Sequence, residues 1–269
     1  MFTYEEYPVK GKPAYFIKKV WSLNNMTNNL PVMNNAVLPN GCFNIAFIRG
    51  NGVEITHQNT TRLLSPGVYF CGQMTEALTV DIQPLTQATM VQLYPWTPAY
   101  FSNSDFSQYT NQFVAACQLN LIAADHPLFN AYSLGKRDIY RQVLSAFSPL
   151  LRFSSAAASV TKAAQMIINT HGNTTIAQIS ETLNCSERYL QKLFKLHIGL
   201  SPKELAVIIK LRDTVDEIAY SASDYDSLTD LALANHFYDQ AHFNNTFKAI
   251  VKTSPAKFDA DKHFLSWKK

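Results

Sequence analysis

The second half of the chain repeats itself at a spacing of 53 residues: Phe194-Lys195 returns as Phe247-Lys248, and Ser201-Pro202 as Ser254-Pro255. In the same register Leu190 maps onto Phe243, Ile198 onto Val251 and Leu205 onto Phe258, and upstream Ile176/Ile179 answer to Leu228/Leu231 with one extra residue in the second copy. Each copy reads as a short helix, a turn, a second helix and an SP-initiated helix. Two helices joined by a tight turn make a helix-turn-helix unit.

Local signals agree with this reading. Val160, Ala163, Ala164, Ile167 and Ile168 share one face of a helix over residues 157–170, which His171-Gly172 stops. Thr175 and Gln178 have the spacing of a capping box. Ser186 is a natural N-cap for the next helix, and Gly199 ends it. Ser201-Pro202-Lys203-Glu204 joins a capping box to Pro at the first helical position. These marks place the first unit at about 175–198, a connecting helix at about 202–220 and the second unit at about 227–251. The connecting helix, with Leu205, Ile208, Ile209, Val215 and Ile218 as core positions, spans about 27 Å. It can hold two helices rigidly so that both meet one face of a duplex about one turn, or 34 Å, apart.

The faces left over after packing are polar. In the first unit Leu190, Leu193 and Phe194 point inward, leaving Arg188, Gln191, Lys192 and Lys195 as one stripe at i, i+3, i+4, i+7. In the second, Phe243, Phe247 and Ile250 point inward, and Ala241, Asn244, Asn245 and Lys248 form the matching stripe, flanked by Gln240 and His242. Arg and Lys suit guanine O6/N7, and Gln and Asn suit adenine N6/N7. A polar stripe on one helix is ordinarily a solvated face; its recurrence at the same place in two units is what points to DNA.

At this point the residues resemble a known family. The pattern S-x-R-x-L-x-x-x-F-K-x-x-x-G-x-S-P is met at Ser186, Arg188, Leu190, Phe194, Lys195, Gly199, Ser201 and Pro202. The second unit's F-x-D-Q-[SA]-H-F-x-x-x-F-K-x-x-x-x-x-S-P is met at Phe237, Asp239, Gln240, Ala241, His242, Phe243, Phe247, Lys248, Ser254 and Pro255. Residues 157–260 are thereby similar to the AraC/XylS family of bacterial transcription regulators. The resemblance implies two helix-turn-helix subdomains on successive major grooves, with Arg188, Gln191 and Lys192 facing bases in the first and Gln240, Ala241, His242 and Asn245 in the second. It implies RNA polymerase as a partner, activation as the commoner outcome and the cytoplasm as the location. His236 stands where the family has Gly in the turn, Asn245 where Arg is common, and Lys252 replaces the Gly before the second SP motif. The change to Asn245 predicts that the first unit dominates specific contacts.

Net charge does not announce a nucleic-acid binder. The chain carries 23 Lys+Arg against 20 Asp+Glu, and residues 154–269 carry 13 against 12. Placement matters more than sum: Arg188, Lys192 and Lys195 share one stripe, while Asp213, Asp216, Glu217, Asp224, Asp226 and Asp230 collect between the units. Non-specific affinity is therefore expected to be modest.

The first half reads differently. Segments 15–23, 43–49, 53–56, 63–71, 78–82 and 88–94 are aromatic or β-branched and bounded by Pro, Gly or Asn, with Gly50-Asn51-Gly52 marking a hairpin turn. Such short strands predict a sandwich or small barrel, ended by Pro95–Pro98 (PWTP). Residues 106–120 and 136–153 place apolar groups at helical intervals, and Ser154–Ala158 reads as a linker. The expected fold is α+β: residues 1–153 a β-rich sensory or dimerisation domain with a helical segment at 105–153, and residues 154–269 an all-α double helix-turn-helix. Leu38-Pro39-Asn40-Gly41 and Gly72-Gln73-Met74-Thr75 resemble the L-P-D-G and G-Q-x-T motifs of a β-rich domain that precedes AraC-type modules. That resemblance implies an unknown small-molecule effector or homodimerisation.

Other function classes find less support. A cupin-like metalloenzyme needs clustered His and carboxylates, whereas His57 stands alone among residues 1–120. A repair protein with a zinc-bound cysteine needs clustered ligands, whereas the four cysteines lie 29, 46 and 68 residues apart. Neither catalysis nor a cofactor is expected. An interaction or sensory module with weakened DNA binding is the nearer alternative, given the near-neutral second half and Asn245. No apolar run approaches the roughly 18–20 residues of a membrane span, and MFTYEEYPVKGKP lacks the apolar region of a signal peptide.

Overall fold

In the computed structural model, which describes residues 2–119, 123, 125–220 and 228–263, ten strands form two antiparallel sheets. The strands are β1 (Thr3–Pro8), β2 (Ile17–Asn24), β3 (Val32–Val37), β4 (Phe43–Arg49), β5 (Val53–His57), β6 (Thr60–Leu64), β7 (Gly67–Cys71), β8 (Leu78–Ile82), β9 (Gln87–Leu93) and β10 (Phe113–Ala115). One sheet runs β1-β2-β9-β4-β7-β10, the other β3-β8-β5-β6.

The larger sheet is buried on both faces, which explains why β4 reads as an almost unbroken apolar run. Phe43, Ile45 and Phe47 face one core with Phe70, Val91 and Leu93. Ile48, Trp21, Leu23 and Ala88 face the other, against Val53, Ile55, Val80 and Ile82 of the smaller sheet. Alternate residues of one strand thus serve two cores. The first core is closed by helix α1 (Lys136–Phe147), through Ile139, Val143 and Ala146, and by Leu128 and Ala131 of a 3-10 turn.

Three expectations for this half are corrected. Residues 63–71 belong to two strands, β6 and β7, because Ser65-Pro66 interrupts them. Residues 106–119 form a 3-10 turn (Phe106–Tyr109), strand β10 and a second 3-10 turn (Ala116–Leu119), not a helix. Asn111, at φ 60°, breaks the helical path, and Phe113–Ala115 pair with β7. Ser154–Ala158 is no linker: Ser154 caps α2 (Ser155–Asn169) by accepting from the Ala157 N–H. Strands β1 and β3 add to those expected. Residue 120 and the tail 264–269 lie outside the described residues.

The helical half follows as α3 (Ile176–Thr182), α4 (Glu187–Ile198), α5 (Pro202–Tyr220), α6 (Leu228–Ala234) and α7 (Gln240–Val251). Helices α2 to α5 share a core that includes Ala164, Ile167, Ile179, Leu190, Phe194 and Leu205. Trp96 and Tyr100, from the turn after the first half's last long strand, are buried in that same core. Leu211 and Val215 of α5 pack with Leu231, Phe237, Phe243, Phe247 and Val251 around a second core, which also takes Leu38 from the first half. The connecting helix therefore contributes to both units, as its apolar positions predict.

Candidate DNA interface

Each unit is held by end chemistry written in its sequence. Thr175 accepts from the Gln178 N–H while Gln178 accepts from the Thr175 N–H, closing the expected capping box of α3. Ser186 caps α4 by accepting from the Tyr189 N–H, and Asp239 caps α7 by accepting from the His242 N–H. Ser201 and Glu204 exchange bonds of 2.6 and 3.2 Å at the start of α5. The second SP motif behaves differently. Pro255 opens only a 3-10 turn (Pro255–Lys257), because the Ser254 side chain makes no cap bond and the third residue beyond it is Lys257, not Glu.

The turns take left-handed residues at matching places. Asn184 (φ 49°) leaves α3 and His236 (φ 58°) leaves α6; Gly199 (φ 82°) ends α4 and Lys252 (φ 67°) ends α7. His236 and Lys252 thus adopt the conformation that glycine supplies without steric cost.

Between these caps, Leu190, Leu193 and Phe194 of α4 are buried, and Arg188, Gln191, Lys192 and Lys195 are exposed. Lys195 is engaged: its Nζ lies 2.8 Å from Glu204 Oε2. Burial pushes the Glu204 carboxyl up, but bonds from Lys195 and Ser201 outweigh that and hold it below its ordinary value. Among the described residues, Arg188, Lys192 and Lys248 form no ion pair.

On α7, Gln240, Ala241, His242, Asn245 and Lys248 are exposed. Asn244 departs from the expected stripe: it is half-buried, and its Oδ1 is buried without a hydrogen-bond partner. Phe243 and Phe247 are fully buried, while Ile250 is half-buried and Val251 takes the inner position. The ring of His242 packs against Phe237 at 5.8 Å between centroids.

Sequence reasoning passed over Tyr189 and Tyr238. Both are exposed, Tyr238 at 88%, and Tyr238 directly precedes the cap of α7. Its signal was a large aromatic outside the apolar pattern, next to a helix N-terminus. His197, in the last turn of α4, is 4% exposed, with Nδ1 buried and unpartnered, and burial pushes its pKa down. His126 precedes the 3-10 turn Pro127–Ser133 and caps it, its Nδ1 accepting from the Leu128 N–H.

Of the acidic residues between the units, Asp213 pairs with His171, Asp216 with Arg212, and Glu217 accepts from Asn235. Asp224 and Asp226 lie outside the described residues. His57 Nε2 lies 3.0 Å from Glu76 Oε1, without the alignment of a hydrogen bond. Among the described residues no three His, Cys, Asp or Glu side chains are grouped so as to hold a metal, and no helix is long and apolar enough to cross a membrane.

Two helices joined by a left-handed turn, the second of them capped by Ser186 or Asp239, are met twice and splinted by one long helix, and so define a double helix-turn-helix regulator. Residues 179–261 match a family described as a helix-turn-helix domain, and residues 7–115 one described as a domain of unknown function. Residues 179–261 thus carry an AraC-type helix-turn-helix domain, the DNA-binding part of a transcription regulator. No curated protein sequence matches the chain. Similar solved structures include ToxT from Vibrio cholerae O395, at 10% identity and TM-score 0.45 over 96% of this chain and 95% of that one. The unsaturated fatty acid-bound wild-type ToxT from Vibrio cholerae strain SCE256 is similar at 11% identity and TM-score 0.45, over 95% and 94%. The C-terminal domain of AraT, a response regulator from Geobacillus stearothermophilus, is similar at 20% identity and TM-score 0.36, over 43% and 95%.

Proposed function

We propose that α4 and α7 are recognition helices that enter successive major grooves on one face of a duplex. Arg188, Gln191 and Lys192 read bases from α4, and Gln240, Ala241, His242 and Asn245 from α7. Lys195 and Lys248 neutralise phosphates, Lys195 after release from Glu204. Tyr238 donates its phenol to the backbone beside α7. Ser186 serves through its cap, and Asn244 from the edge of the interface. The observation that carries this reading is the exposed Arg188–Gln191–Lys192 face over fully buried Leu190 and Phe194. At the same offset of 53 residues Ala241 and Asn245 are exposed over Phe243 and Phe247, with Asn244 half-buried between them. Footprinting on the region upstream of the protein's own coding sequence tests it. Two protected segments about one helical turn apart are expected, and one short segment, or none, counts against it.

The same reading gives the protein a cytoplasmic, non-catalytic role: it recruits RNA polymerase as an activator, and residues 1–153 sense an effector or pair two copies. A cavity of about 150 Å³ supports the effector part. It lies between β2, β9 and α1, is walled by Phe16, Leu93, Phe101, Val143, Leu144 and Phe147, and has Lys12, Thr97 and Ser148 as its polar residues. Such a lining suits a small, mostly apolar molecule with one polar end. Thr97 belongs to the turn that carries Tyr100 into the first helical core, so occupancy of the cavity can reach α2. Footprinting with and without candidate apolar effectors tests this part.

A further inference from the structure

The ends of the two recognition helices share one feature that helix-turn-helix packing does not require: each is seated on the β-rich half. At α4, the Gly199 carbonyl accepts from Thr110 Oγ1 at 2.9 Å. A Cβ on Gly199 would stand 2.8 Å from the Phe106 carbonyl oxygen, so glycine is needed for the close approach as well as for its φ of 82°. At α7, the Ile250 carbonyl, which the helix itself leaves unpaired, accepts from the Ala77 N–H at 2.6 Å. Lys252 forms an ion pair with Glu76. Gly199 and Lys252 occupy the same position in the two copies of the 53-residue repeat.

The two seats are parts of one structure. Asn111 accepts from the Thr75 N–H at 2.9 Å and donates to Thr75 Oγ1 at 2.8 Å, while its own N–H donates to the Gln73 carbonyl at 2.8 Å. Gln73 in turn donates to the Gly41 carbonyl at 3.1 Å, and Gly41 lies against Leu205 and Ile209 of α5. Segments 73–77 and 106–111 are thereby tied to each other, to the N-terminal half of the connecting helix and to the end of each recognition helix. Both short motifs of the first half, L-P-N-G and G-Q-M-T, sit in this assembly. Glu76 also receives a 2.6 Å bond from Gln58 and faces His57.

We propose that this platform sets the separation and angle of α4 and α7, and so makes Thr75, Glu76, Thr110 and Asn111 positioning residues that fix the half-site spacing the protein accepts. A single connecting helix leaves each unit free to pivot about its own packing; a second attachment at each recognition helix removes that freedom. DNA makes the restriction measurable, since one inserted base pair moves the second half-site by about 3.4 Å and turns it by about 35°.

The inference rests on both helices touching DNA, and the experiment separates the two claims. The full chain is used to select a duplex from a randomised library, and binding is then titrated on that duplex and on derivatives with one base pair inserted or removed between the protected segments. Wild type is expected to bind the altered duplexes about tenfold or more weakly. Glu76→Lys is expected to narrow that ratio to about threefold or less, and Glu76→Lys with Lys252→Glu to restore it. A purely stabilising contact would lower affinity for every spacing alike, so that result overturns the proposal, as does unchanged discrimination in Glu76→Lys. Wild type indifferent to spacing overturns the two-groove reading and the platform together. Should Glu76→Lys not fold, Thr110→Val removes the seat at α4 with one hydroxyl and is read on the same duplexes.

Discussion

The hydroxyls of Tyr100 and Thr161 lie 3.0 Å apart, and this bond crosses from the β-rich half into the first helix of the DNA-binding half. Its direction follows from proton counting. Thr161 Oγ1 donates to the Ala157 carbonyl at 2.8 Å, so it accepts from Tyr100, which in turn accepts from Tyr15 at 2.9 Å. One chain of hydroxyls thus links Tyr15, next in the chain to Phe16 of the cavity wall, to α2. Tyr100→Phe keeps the ring in its core and breaks two bonds, with an expected cost of about 1–3 kcal/mol. Thermal unfolding should fall by about 2–4 °C for each kcal/mol. Signals from sheet and helices should move together, since Trp96 and Tyr100 are common to both; a Tyr100→Phe protein in which the two separate would show the halves to be independent.

Arg188→Ala should weaken specific DNA binding by about 1–3 kcal/mol, roughly tenfold to a hundredfold. Asn245→Ala should cost less, because a neutral amide replaces the cation the family places there. Lys248→Ala should weaken all duplexes alike and lower the slope of log K against log salt by about one. Anisotropy titrations at several salt concentrations give all three values. The reverse order of Arg188 and Asn245 would refute the dominance of the first unit. A wild-type slope near zero would favour the interaction-module reading.

His236→Gly should stabilise the protein by about 0.5–1 kcal/mol. A β-carbon is disfavoured in the left-handed region by about 1–2 kcal/mol, and glycine's greater freedom when unfolded returns part of that. The turn's other support survives, since Lys210 donates to the His236 carbonyl at 3.0 Å through the backbone. Urea unfolding with an unchanged m-value measures it. No gain would mean that the exposed imidazole makes a favourable contact which the backbone argument omits.

What was legible in the sequence was local. Caps, glycine stops and the 3.6-residue period gave α3, α4, α5 and α7 because each signal acts within one turn of the residue that carries it. Non-local effects were not legible. Residues 106–119 carry helical spacing, yet Phe106 goes to the sheet core and Phe113–Ala115 to the edge of β7. Strand β1 (TYEEYP) is too polar to read as a strand and exists through its register with β2, Thr3 opposite Asn24 to Pro8 opposite Lys19. The recognition stripe was visible as a period. That Lys195 is held by Glu204, and that Asn244 turns partly inward, depends on neighbours the period does not describe. The seats under Gly199 and Lys252 join residues far apart in the chain, Thr110 with Gly199 and Glu76 with Lys252, which no local signal pairs.

His197 should make the DNA-binding half acid-sensitive. Burial lowers its pKa from the usual 6.5, so the folded protein holds the neutral ring while the unfolded chain protonates more readily. The unfolded state then binds more protons as pH falls through 6.5, and stability, full above that value, is lost below it until the lowered folded pKa is reached. The slope is at most about 1.4 kcal/mol per pH unit for one site. His197→Leu removes the proton site and the unpartnered Nδ1 together and should flatten the profile between pH 6.5 and the onset of carboxylate titration. Glu76 acts further down: burial raises its pKa, but bonds from Lys252 and Gln58 and the charges of Lys252 and His57 bring it below 4.5. Its contribution persists above 4.5 and is lost only below. Urea midpoints at successive pH values separate the two, and a His197→Leu profile parallel to wild type above pH 5 would show that another group carries the acid sensitivity.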